Sequence, residues 1–298
     1  MRRPHRFAAA VVGLLLATAC GGGGGGGGSA GADGRPQVVA AFYPLFEAAR
    51  VVGGDRVDVV NLTPAGTEPH DLELTPRQVD LIEGADLVVY LGGGFQPGVE
   101  EVAERSEGEL IDARAGHGGN DPHVWLDPGL QGRIVERVEE ALARNDTGGK
   151  DFYARNAEAY RRELGLLDDE LEQRLSGCRR RVIVTAHAAF GYLATRYGLT
   201  QEPIAGISPE SEPDPERLAD LTGLVRATGT TTVFTETLVS PRVAETLARE
   251  AGVATAVLNP IEGLTEAELR RGETYASVMR DNLAALTAAL DCDAGAGR

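Results

Sequence analysis

Residues 151–176 read DFYARNAEAYRRELGLLDDELEQRLS, and their spacing decides how the rest of the chain is organised. Tyr153, Ala157, Tyr160, Leu164, Leu167, Leu171 and Leu175 recur at steps of three or four, so one apolar stripe runs along a single helix. At 1.5 Å per residue, about 25 residues extend roughly 37 Å, enough to cross two packed units. An ordinary helix covering one unit is the other reading of the same stripe. If the helix is a spacer, the lobes it joins pivot little, unlike lobes joined by extended strands.

Outward from this helix the pattern is the same on both sides. Before it, residues 37–42 (QVVAAF), 56–62 and 86–91 (DLVVYL) read as strands, with helices at 45–52 and 76–83. After it, residues 181–185 (RVIVT), 231–235 and 254–258 read as strands, with helices at 188–197, 215–227, 241–251 and 275–290. Strands alternating with helices imply parallel sheets. The expected fold is therefore α/β: two lobes, each with a mostly parallel sheet flanked by helices, joined by one long backbone helix. The lobes are expected at residues 36–145 and 178–298, with the joining segment at 146–177. Gly92-Gly93-Gly94 follows a strand, but no Gly-Lys-Ser/Thr comes after it, so a phosphate loop is not indicated.

The N-terminus reads as an export signal. Residues 1–19 combine Arg2, Arg3 and Arg6 with a short apolar run over 7–19, too short to span a bilayer. Ala17-Thr18-Ala19-Cys20 resembles a bacterial lipobox, which makes Cys20 the expected lipidated residue. The Gly-rich stretch over 20–35 reads as a tether. If Cys20 carries lipid, Cys178 and Cys292 remain as a pair in a compartment where disulfides persist, and a bridge is expected over two free thiols. The 298 residues hold 29 Lys+Arg against 45 Asp+Glu, a net charge of −16 that becomes three units more negative when the leader leaves. With no basic cluster beyond residue 6, nucleic acid is excluded as the main partner.

Of the five His, His5 falls in the leader. His70 follows a strand in LTPAGTEPH, His123 lies in DPHVWLDP between Pro122 and Pro128, and His187 closes RVIVTAH before a helix. Ligands of open α/β sheets bind beyond the carboxyl ends of strands, which places His70 and His187 to converge between the lobes. Three imidazoles in one cleft suit Zn²⁺. Each His alone is as compatible with a hydrogen-bonded core or surface residue.

GTEPHDLELTPRQVDLIEGADLVVYLGGGF, DPHVWLDP, TAHAAFGYLATRYGL and FTETLVSPRVAETLAREAG together resemble the substrate-binding proteins of zinc and manganese ABC importers, the ZnuA-like group, over residues 36–290. The resemblance implies one metal ion between two lobes, with His70, His123 and His187 as ligands. His187 stands where manganese-selecting members typically carry Glu, which favours Zn²⁺ over Mn²⁺. Where members often carry Asp after the last strand, this chain has Asn259. The fourth ligand is therefore expected to be water or Glu68, with Asn259 as a possible ligand or supporting residue and Glu262 as the weaker candidate. Glu236 is expected to orient a ligand or hold the lobe, Trp125 to pack, and His117, in a shortened loop, to be inert.

The function implied is a high-affinity zinc receptor, monomeric and not an enzyme. It is held by lipid on the outer face of the bacterial cell membrane and delivers its ion to an importer's membrane permease. The rivals are a manganese receptor of the same group, a zinc hydrolase using Glu68 or Glu236 as base, and a surface adhesin.

Overall fold

A computed structural model describes residues 34–211 and 213–292. The leader, Cys20 and most of the Gly-rich segment lie outside the described residues. Among the described residues the first lobe runs β1 (Gln37–Ala40), α1 (Tyr43–Gly53), β2 (Asp58–Asn61), α2 (Pro76–Glu83), β3 (Leu87–Tyr90), α3 (Pro97–Ala103), β4 (Glu109–Asp112) and α4 (Pro128–Asn145). The long helix α5 spans Lys150–Ser176. The second lobe follows as β5 (Val182–Thr185), α6 (Gly191–Arg196), β6 (Thr200–Pro203), α7 (Pro215–Thr228), β7 (Thr232–Thr235), α8 (Arg242–Ala251), β8 (Ala254–Val257), α9 (Glu266–Arg271) and α10 (Tyr275–Leu290).

Each lobe carries a four-stranded, fully parallel sheet, in the orders β2-β1-β3-β4 and β6-β5-β7-β8. Central strands are Val-rich and covered by helices, as parallel sheets require. The short edge strands β4 and β6 go beyond the sequence reading. β6 (TQEP) is polar and contains Pro203, which an edge tolerates. The helix expected over 188–197 is confined to α6, because residues 186–190 form the turn that presents His187.

The buried residues of α5 are the seven of the apolar stripe. The helix packs on α1 and α4 of the first lobe and on α10 of the second. One continuous core therefore joins the first lobe, α5, α6 and α10, while a smaller cluster, including Val184, Leu221, Val233 and Leu247, fills the outer side of the second sheet. A buried carboxylate stitches this junction. Glu47 of α1 accepts hydrogen bonds from the hydroxyls of Tyr43 and Tyr160 (α5) and from the backbone N–H of Tyr275, the first residue of α10. Burial, reinforced by the Glu47 charge, pushes the Tyr160 phenol well above its ordinary pKa, so it stays a donor. Cys178, just after α5, is disulfide-bonded to Cys292, just after α10.

Candidate metal centre between the lobes

The loops at the carboxyl ends of both sheets face each other. His70 sits on a single helical turn, Pro69–Asp71, after β2, and its backbone N–H donates to the capping Glu68 side chain. His123 precedes the turn Val124–Leu126 that leads into α4, where Asp127 caps the helix and Pro128 starts it. His187 lies just past β5, and Glu236 directly follows β7. These strands are neighbours at the point where the strand order reverses, the expected place for a ligand crevice.

The three imidazoles converge on one carboxylate. Oε1 of Glu262 lies 3.0 Å from Nε2 of His123, 3.3 Å from Nε2 of His187 and 3.4 Å from Nε2 of His70. All four ligand atoms fall within 4.8 Å of one another. Metal bonds of about 2.0–2.1 Å give a tetrahedron with edges of roughly 3.3 Å, close to the three Glu262–His separations. The side chains of His123, His187 and Glu262 are fully buried, and that of His70 is 7% exposed. Nε2 of His70, Nε2 of His187 and Oε2 of Glu262 have no hydrogen-bond partner. Orphaned polar atoms aimed at one point are rare without a ligand, and these fit a cation.

Two of the rings are oriented from behind. Nδ1 of His123 lies 2.7 Å from Asp121, and Nδ1 of His187 lies 2.8 Å from Glu236. Each carboxylate accepts a hydrogen bond from Nδ1–H, which leaves the Nε2 lone pair facing the cleft. Glu236 thus stands in the orienting position that the sequence suggests. Burial works against the charge on His187, but its hydrogen bonds to Glu236 and the nearby Glu262 carboxylate outweigh it and raise its pKa to about 10. Burial likewise opposes ionisation of Glu262, yet the His123 hydrogen bond and the close His187 and His70 imidazoles hold its pKa well below the usual carboxylate range. A cation entering this cluster displaces protons.

Beside the three imidazoles the structure places the carboxylate of Glu262, the weaker candidate of the sequence reading. Glu68 uses Oε1 to cap the His70 turn; burial and then the Glu262 charge push its pKa up to about 8. The Asn259 amide serves the backbone instead: Oδ1 accepts the N–H of Ile261 at 2.8 Å, while Asn282 bonds both backbone groups of Asn259. Ile261 adopts φ 57°, a left-handed conformation that costs a β-branched residue about 1–3 kcal/mol. Glu262 is the next residue, and its carboxylate faces the three imidazoles. No motif around NPIEG announces it.

Other singled-out residues sort clearly. Trp125 is fully buried against Phe42, Phe95 and His123, and its indole N–H donates to the Pro260 carbonyl at 2.8 Å. His117 stacks edge-on to Tyr192 and is not one of the converging ligands. The glycine turn after β3 has its N–H groups taken by the chain's own carboxylates, Gly92 by Asp112 and Gly93 and Gly94 by Glu100. Among the described residues no helix is long and apolar enough to cross a membrane.

Two α/β lobes packed on a common helical core, with a buried cluster of His and Glu between them, define a cleft-type solute-binding protein. The chain belongs to the family described as zinc-uptake complex component A, periplasmic, which matches residues 38–289. It is 37% identical over 284 residues to the zinc-binding lipoprotein AdcA of Streptococcus pneumoniae, with 87% of this chain aligned. The chain spans 57% of the length of that relative. The crystal structure of the Zn(II)-bound ZnuA-like domain of the same AdcA superposes with a TM-score of 0.76 at 39% identity, over 87% of this chain and 100% of that one. The laminin-binding protein Lmb of Streptococcus agalactiae, described as bifunctional with adhesin and metal-transporting activity, superposes with a TM-score of 0.79 at 32% identity, over 86% and 99%.

Proposed function

We propose that this chain is the extracytoplasmic zinc receptor of an ABC importer, tethered through Cys20, binding one Zn²⁺ through His70, His123, His187 and Glu262 and surrendering it to the membrane permease. The observation that carries this reading is the convergence of the four ligand atoms within 4.8 Å in a buried interlobe cleft. Three nitrogens and one oxygen suit Zn²⁺, whereas Mn²⁺ favours a set richer in oxygen. Four protein ligands complete a tetrahedron, and a catalytic zinc needs a position open to water, so the donor set supports a carrier over a hydrolase. Glu262, with Asp121 and Glu236 behind the rings, offsets the ion's double charge.

Replacing His187 by Ala tests this directly. The expected result is zinc affinity lowered by more than the roughly 10- to 100-fold typical of losing an outer partner, with an unchanged circular dichroism spectrum. Wild-type affinity in that variant would remove His187 from the site. The likeness to Lmb supports adhesion as a second activity, and capture of laminin by the zinc-free chain is its test.

A further inference from the structure

We infer that Trp125 is a latch by which the first lobe holds the second lobe's Glu262 in the cleft, so that opening the lobes withdraws the fourth ligand. The inference rests on the zinc-receptor reading and adds to it a route for letting the ion go.

The peptide unit Pro260–Ile261 is held at both ends. Its carbonyl accepts the Trp125 indole N–H at 2.8 Å, and its N–H donates to Oδ1 of Asn259 at 2.8 Å. With both ends held, the peptide plane is fixed, and rotation about the next bond sets φ of Ile261 at 57°. Asn259 is itself locked to α10 by two 2.7 Å bonds with Asn282, so that end of the clamp belongs to the second lobe. The other end belongs to the first. Trp125 is anchored there by its packing on Phe42 and Phe95, and its carbonyl makes a further bond to the second lobe by accepting the hydroxyl of Tyr275 in α10 at 2.6 Å. A backbone bond from Gly66 to the Leu264 carbonyl closes the far side of the same loop across the cleft. When the first lobe recedes, the Pro260 carbonyl loses its indole donor. The peptide is then free to turn, Ile261 relaxes out of its left-handed conformation, and Glu262 rotates away from the three His. Trp125 touches no ion in this scheme; it is a positioning residue.

Zinc dissociation from the full chain, followed by stopped-flow transfer to a chromogenic chelator, tests the latch. Trp125→Phe is expected to raise the off-rate roughly three- to tenfold, the effect of one net hydrogen bond, with little change in on-rate. In a Glu262→Ala background the same substitution is expected to add nothing, because the ligand it positions is gone. Asn259→Ala, which frees the opposite end of the peptide, is expected to reproduce the effect and serves if thermal melting shows Trp125→Phe to be misfolded. An unchanged off-rate, or an equal increase with and without Glu262, overturns the latch. Failure of the unsubstituted chain to bind zinc overturns the receptor reading and the latch together.

Discussion

The two lobes share one strand order but hold their ligands in different ways. In the second lobe His187 and Glu236 sit directly beyond adjacent central strands, so the sheet itself aims the imidazole. In the first lobe His70 and His123 lie on loops and depend on local devices, the Glu68 cap and the Asp121 carboxylate. The cores differ in the opposite sense. The first sheet is packed into the continuous core with α5 and α10, whereas the outer face of the second rests on a small separate cluster beside a strand, β8, that is largely exposed. The first lobe is thus a firm body with loop-borne ligands, and the second a lighter body with a strand-borne one. Glu262 combines both weaknesses: it belongs to the lighter lobe and sits on a strained loop.

The largest expected effect concerns the lighter lobe. The Cys178–Cys292 bond closes a loop with a sequence separation of 114, which on the chain-entropy model stabilises by about 4–5 kcal/mol. Replacing both Cys by Ser is expected to lower hydrogen-exchange protection across β5, β6, β7 and β8 while β1 and β3 keep theirs. Equal loss in both sheets would break the comparison.

Next come the carboxylates behind the rings. Glu236→Gln and Asp121→Asn are each expected to weaken zinc binding by about 10- to 100-fold, measured by chelator competition. The Glu236 side chain is 2% exposed and meets His187 with both oxygens, whereas that of Asp121 is 27% exposed and uses one, so the Glu236 loss is expected to be larger. The reverse order would mean that the loop-borne His123 dominates the site.

The smallest effect is acid sensitivity in the firm body. Although burial opposes ionisation of Asp146 and Asp168, hydrogen bonds from Arg56 and Tyr153, and from Arg196 and Tyr197, hold the two carboxyls below the usual range. A depressed folded-state pKa gives stability that is present above the unfolded value near 4 and lost as pH falls through the folded one. Asp168→Asn is therefore expected to lower the melting temperature at pH 7 by the equivalent of no more than about 1 kcal/mol, with the gap to the parent closing toward pH 2.

Much of the architecture is legible in the residues. The α5 stripe names its seven buried side chains because a single helix obeys a single period. His70, His123 and His187 can be picked out because each follows a strand or lies between prolines, at places where chains turn. β4 and β6 escape because an edge strand needs few apolar residues. The α4 stripe of Leu130, Ile134, Val138, Ala141 and Leu142, with its Asp127-Pro128 start, is as regular as that of α5 and equally legible. Glu262 is a different case. Its role depends on a left-handed Ile, which no propensity suggests, and on an amide, Asn259, that mimics a ligand position while serving the backbone.

The central claim, a buried cluster of three His and Glu262 selecting Zn²⁺, is tested most directly by competitive titration of the metal-stripped chain with Zn²⁺ and Mn²⁺ against a chelator of known affinity. One equivalent of Zn²⁺ bound far more tightly than Mn²⁺, with protons released on binding, is the expected result. A preference for Mn²⁺, or no tight binding of either ion, would contradict it.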